Sequence, residues 1–211
     1  MVLGVLVAVA GPVVPASAGD DPYLASVSRL DRETRELMTG ASWHEGCPVD
    51  LGDLRLVRVT YMGFDREAHR GRLVVHRRWA DEMVEVFRRL YSRGFPLRRV
   101  RLVDVYGADD RKSMRHDNTS AFNCRYVAGT TTWSQHAFGR AIDINPIENP
   151  YVDCSYVSPR SGRLHADRSP IRRGMIAERD VVWRAFGSIG WEWGGTWSSA
   201  QDYQHFSANG R

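Results

Sequence analysis

The chain has 211 residues, 43% of them apolar, enough for one buried core and short for two domains. Its formal charge is +4, Lys112 is the sole lysine among 29 basic residues, and no run of basic residues exceeds two. That balance is compatible with an anionic partner such as cell-wall polymer, phospholipid or nucleic acid, but no basic run announces a focused patch, and the pattern predicts a solvated, arginine-rich exterior.

The opening stretch "MVLGVLVAVAGPVVPASAGDDPY" is apolar, of export-signal length, and ends in the small-x-small pattern Ala16-Ser17-Ala18 before turning acidic. It lacks basic residues ahead of the apolar run, and Gly11, Pro12 and Pro15 interrupt it, so it is too short to span a bilayer comfortably. Residues 1–18 therefore read as a signal peptide cleaved after Ala18, with a retained anchor as the alternative, and the chain as secreted or held in a bacterial cell envelope. In an oxidising compartment Cys47, Cys124 and Cys154 predict one disulfide and one leftover thiol. Three pairings are open, and the lack of CxxC spacing argues against a zinc knuckle.

In chain order, residues 24–38 have helix-forming composition closed by Gly40, and 19–46 read as an N-terminal helical extension of the domain that fills 47–211. Residues 54–64 and 71–76 predict strands joined by a turn over "DREAHR", the first alternating Leu54, Leu56 and Arg58 against Arg55, Val57 and Val59. Trp79, Met83, Val86, Phe87 and Leu90 recur at helical spacing, with Gly94 and Pro96 as the stop. Residues 98–107 and 122–129 predict strands flanking a polar loop, and 175–190 a second core helix carrying Ile176, Val181, Val182 and Phe186. The whole reads as α+β, a single domain with helices packed on a central antiparallel sheet.

Chemistry concentrates in "SQHAFGRAIDINP". His136 and Asp143 are separated by a turn at Gly139, and the strand pleat sends Ala141, Asp143 and Asn145 to one face and Ile142 and Ile144 to the other, toward the core. Hydrolytic zinc sites keep three protein ligands from His, Asp or Glu and leave a position for water, and the pair offers two of them, though taken alone such a pair is more often hydrogen-bonded or two unrelated surface groups than metal ligands. "DYQHF", near the end, supplies another His and an acid three positions before it. Residues three apart on a flat strand face opposite sides, so this stretch must bend for Asp202 and His205 to converge.

Together "SQHAFGRAID" and "DYQHF" resemble the SxHxxGxAxD and (D/E)xxH motifs of the bacterial zinc D-alanyl-D-alanine carboxypeptidases and L-alanyl-D-glutamate endopeptidases, the VanY-like peptidoglycan peptidases. The likeness covers roughly residues 47–206, with "NTSAFNCR" and "GWEWGGTW" as supporting pieces. The resemblance implies a zinc site in a surface cleft, with His136, Asp143 and His205 as ligands of one zinc ion and Asp202 as the acid/base that activates water. It also implies that Arg125 polarises the substrate carbonyl and that Ser134 lies near the substrate. The family position filled here by Gln204 is often Trp or Pro. The implied substrate is a peptidoglycan stem peptide, cut most readily at a terminal D-alanine by a D,D-carboxypeptidase. The alternatives are an internal stem-peptide endopeptidase or a catalytically silent wall-binding relative. No nucleic acid is expected, peripheral cell-wall association is, and the chain reads as a monomer. A metal-dependent nuclease would favour more carboxylates for Mg²⁺, whereas two histidines and one aspartate suit zinc better. The remaining histidines, His44, His69, His76, His116 and His165, read as surface or loop residues, and Trp191, Trp193 and Trp197 as core and cleft wall.

Overall fold

The structure, a computed structural model, describes residues 22–211. The expected signal peptide and its cleavage point lie outside the described residues. The largest sheet is built on a hairpin of β-branched and aliphatic residues. Its strands run antiparallel, with β1 (Ala25–Arg29) pairing Val27 to Val57 of β2 (Leu54–Gly63). In turn β2 pairs Val57 to Leu73 of β3 (Ala68–His76).

The helix expected over 24–38 is thus a strand followed by a shorter helix, α1 (Arg32–Met38). The Asp31 carboxylate accepts from the Thr34 amide at 2.9 Å and starts the helix there. Ahead of it, Ala25–Arg29 finds ladder bonds on the sheet edge that local helix propensity cannot match.

The amphipathic helix is present as α2 (Ala80–Ser92), burying Met83, Val86, Phe87 and Leu90. They join Val57, Val59, Leu73 and Val75 in the main core. Leu54, Leu56 and Val74, on the same two strands, enter a second cluster with Met38, Leu102, Phe122 and Cys124. The sheet is therefore covered on both faces, which is why β2 lacks an apolar-in, polar-out alternation.

Beyond α2 the chain makes β4 (Pro96–Leu97), parallel to β2. Next come β5 (Arg99–Val100), α3 (Asp110–Arg115) and β6 (Asn118–Thr119), with β5 and β6 parallel to each other. The strand expected over 98–107 is only this short β5, because Arg101 N–H bonds the Asn118 side chain at 3.0 Å in place of a backbone partner and a 3-10 turn follows at Val103–Tyr106. The strand expected over 122–129 is reduced to one antiparallel bridge, Tyr126 to Trp133, and residues 122–124 join no strand. Their amides are satisfied one at a time, Phe122 by Val74 O, Asn123 by His136 O and Cys124 by Ser42 O, three separate segments that make no ladder. Cys47 and Cys124 form the disulfide, and Cys154 is free and exposed.

The remaining elements are β7 (Ala141–Asp143), β8 (Tyr151–Asp153), β9 (Tyr156–Ser158), α4 (Arg163–Ala166) and α5 (Val181–Gly187). β10 (Glu192–Trp193), β11 (Gln201–Asp202) and β12 (His205–Ser207) complete the chain. The second core helix starts at 181, later than expected, because Asp180 caps it by accepting from Trp183 N at 2.8 Å. Ile176, expected on that helix, is buried in the preceding loop with its amide held by Asn149 Oδ1 at 2.7 Å. A small antiparallel sheet in the order β10-β12-β7 sends Ile142 and Phe206 into the main core beside Phe186 and Trp191. Both sheets share that core, so the architecture is a single α+β domain. Among the described residues no helix is long and apolar enough to cross a membrane.

Candidate active site

β7 and β12 place Asp143 directly opposite His205, and cross-strand partners on one face bring their side chains together. His136 arrives from the 3-10 turn Gln135–Phe138, whose first amides are capped by Ser134, the hydroxyl accepting from His136 N at 3.3 Å. Gly139 ends that turn at φ 62°, and a Cβ there would lie 2.5 Å from His76 N. A side chain is excluded on both counts, which explains the glycine between the two predicted ligands.

Three atoms converge. His136 Nε2 is 3.3 Å from Asp143 Oδ1, His205 Nδ1 is 3.1 Å from the same oxygen, and the two ring nitrogens are 3.3 Å apart. The opposite nitrogens donate to backbone carbonyls, His136 Nδ1–H to Ala121 O at 2.5 Å and His205 Nε2–H to Arg211 O at 3.2 Å. Each bond fixes a tautomer and leaves a lone pair aimed at the partner. Two lone pairs and a carboxylate oxygen facing one another repel unless positive charge sits among them. Tetrahedral zinc with bonds of about 2.0–2.1 Å needs ligand atoms roughly 3.3–3.4 Å apart. The donor set therefore fits the ion in chemistry and spacing.

Without a cation among them, burial alone would raise Asp143, but the two imidazoles outweigh it and hold the carboxyl well below the usual carboxylate range. Burial works against the charged form of His205, yet the Asp143 hydrogen bond and charge raise it. Two other groups of His, Cys and acid side chains lie close enough to share an ion among the described residues. One contains the oxidised Cys47–Cys124 pair, and the other, Asp65, Glu67 and His69, spans the β2–β3 turn and the start of β3.

The required bend at "DYQH" is present. Asp202 belongs to β11 and pairs with Tyr151, His205 belongs to β12, and the chain turns between them. The turn is pinned by Trp193 Nε1–H donating to Tyr203 O at 2.8 Å. Gly194 packs so closely that a Cβ would lie 2.7 Å from Asp202 O. Trp193 and Gly194 of "GWEWGGTW" thus hold the turn, a signal readable in the motif only once its partner is known. Asp202 faces the cleft, and its Oδ1 is buried with no hydrogen-bond partner among the described residues. Burial, then the charge of Asp143, pushes its carboxyl up to about 6.

These groups line a cleft of about 490 Å³ together with Arg125, Ser134, Tyr151 and Trp197. The guanidinium of Arg125 contacts the Asp110 carboxylate, and Asn123 Nδ2 donates to the other oxygen of that carboxylate at 2.7 Å. Asp110 and the carbonyls of Ala121 and Arg211 were not foreseen, the first because it lay in a stretch read as loop, the others because a backbone carbonyl has no sequence signature. The walls come from Val127, Thr130, Thr132 and Trp133 on the turn after Arg125, with Tyr151 the sole contribution of the long 150–172 segment. Trp191 and Trp193 are core, Trp197 is cleft wall, and the other five histidines stay out of the cleft.

Residues 128–208 match the family model described as D-alanyl-D-alanine carboxypeptidase. No curated protein and no solved structure matches the chain. The matched stretch carries His136, Asp143, Asp202 and His205 on the strands and turns described above, and over it the chain is similar to the peptidoglycan peptidase family that its two motifs resemble.

Proposed function

We propose that this protein is a secreted zinc peptidase that removes the terminal D-alanine from peptidoglycan stem peptides. His136, Asp143 and His205 would hold one zinc ion, and Asp202 would serve as acid/base. The observation that carries the reading is the convergence of two tautomer-locked imidazoles and a carboxylate beside a second, buried carboxylate whose Oδ1 has no hydrogen-bond partner among the described residues. All four positions being filled argues against a silent wall-binding relative.

A zinc ion there supplies the positive charge that acidifies a water and polarises a carbonyl. Asp202 Oδ1 takes a proton from the attacking water and delivers it to the nitrogen of the leaving amine. Arg125, at the cleft wall, faces the charge that develops on the carbonyl oxygen, the term that usually dominates acyl transfer. The Asp110 carboxylate keeps the Arg125 guanidinium in place. Ser134 acts through the turn it caps, which sets the direction of the His136 ring, and lies where the substrate would pass.

An internal stem-peptide endopeptidase is the second reading, favoured by the open lip at Tyr126 and Val127, 48% and 44% exposed, where a longer peptide has room to continue. Under either activity the working protein would act at the cell wall. Incubation with a defined muropeptide pentapeptide, with and without chelator, and weighing of the products tests the proposal. Loss of one alanine supports the carboxypeptidase, a larger fragment the endopeptidase, and the absence of any chelator-sensitive product overturns both.

A further inference from the structure

Away from the cleft, the C-terminal half of α2 and the start of α5 enclose a groove of about 630 Å³. Arg88, Arg89, Arg93, Arg179 and Arg184 line it, and the sole carboxylate on its wall is that of Asp180. Asp180 is occupied with the amides of Ala177 and Trp183. Arg88 and Arg89 are braced by Glu85 at 2.7–2.9 Å, whereas Arg93, Arg179 and Arg184 are exposed and have no ion pair among the described residues.

We propose that this groove binds a phosphate-bearing polyanion, a single flexible strand carrying phosphodiester groups, and that it does so independently of the hydrolytic cleft. Arginine is suited to the task because its planar fork pairs with two phosphate oxygens at once and is weakly hydrated. Like charges gathered in a concave wall reinforce one another's field, and a chain of phosphates neutralises them while releasing its own counterions. The shape favours a strand over a membrane. A bilayer cannot follow a concave floor, and none of the large exposed apolar side chains, such as Leu24, Tyr126 or Leu164, lines the groove to enter lipid. No residue is shared with the cleft, so a polymer held here leaves the peptidase site open.

Inorganic polyphosphate is the probe, its binding measured by calorimetry across a series of sodium chloride concentrations. The variant Arg93→Ser, Arg179→Ser, Arg184→Ser is expected to lose at least about tenfold in affinity near physiological salt, and the slope of log K against log salt to become shallower by roughly 2. A control of equal charge change, Arg32→Ser, Arg111→Ser, Arg163→Ser, is expected to lose less than about threefold. Equal losses in the two variants would show diffuse attraction to a +4 protein and overturn the proposal. Binding to vesicles of phosphatidylglycerol without binding to polyphosphate would overturn it in favour of a membrane. Should the groove variant lose its thermal transition, the three single substitutions replace it, each with an expected loss of about two- to fourfold.

Discussion

Asp143 and Glu148 stand close together on one stretch of chain, each largely withdrawn from water and each beside a second acid, yet their surroundings treat them in opposite ways. Asp143 meets two imidazoles whose far nitrogens are tied to carbonyls, so each neutral ring turns a lone pair toward it. Glu148 meets Asp117. Burial and then the neighbouring carboxyl push it up to about 8, and its Oε2 has no partner among the described residues. Arg98 stands 3.6 Å from Asp117 and 3.7 Å from Glu148, too far for a firm hydrogen bond to either. A shared proton is enough to settle the second cluster. The first presents two imidazole nitrogens and a carboxylate oxygen to one point, the donor set a zinc ion would take under the proposed function, whereas the second offers only acids.

The largest effect that could break this contrast is removal of a ligand. Asp143→Ala and His205→Ala are each expected to lose zinc and with it all measurable hydrolysis, checked by metal analysis after dialysis. Full zinc occupancy in either variant would sink the ligand set. Next, Asp202→Asn should retain zinc while hydrolysis falls by about 10²–10⁴-fold, the usual contribution of a placed acid/base. Loss of metal in that variant would move Asp202 from base to ligand.

Smaller again, Asp110→Asn should lower kcat by roughly tenfold with KM little changed, since a guanidinium displaced by an ångström weakens the transition state more than the ground state. An unchanged kcat would remove Asp110 from the machinery. The smallest effect sharpens the other side of the comparison. Glu148 binds its proton more tightly folded than unfolded, so the stability it contributes is greatest at low pH and is lost as pH rises from about 4.5 to about 8. Asp117 and Arg98 are the charged groups that act on it. Over that interval Glu148→Gln should remove a slope of at most about 1.4 kcal/mol per pH unit, read from denaturant melts at several pH values. Identical slopes in the two proteins would mean the carboxyl titrates normally.

The parts that could be read from sequence are those whose signal is local. The stripe Met83, Val86, Phe87 and Leu90 could only be an amphipathic helix, and the pleat of Ala141–Asp143 had to turn the acid away from the isoleucines. The stretches 98–107 and 122–129 were misleading for the converse reason. Their β-rich composition describes residues that like an extended, half-buried surface. Whether such residues become a strand depends on a neighbour offering a continuous row of partners, and Phe122, Asn123 and Cys124 find theirs on three different segments. Asp110 was hidden in the same way, because its meaning depends on Arg125 lying above it.

By itself the sequence determined the donor types of His136, Asp143 and His205, the glycine that ends the turn between the first two, and the need for a bend between Asp202 and His205, since these follow from side-chain chemistry and backbone period. The tertiary structure alone decided which imidazole nitrogen points inward, which two cysteines join, and that five arginines scattered from 88 to 184 face one groove. Those outcomes depend on partners brought together by packing across many residues, and no local pattern encodes the identity of a distant neighbour.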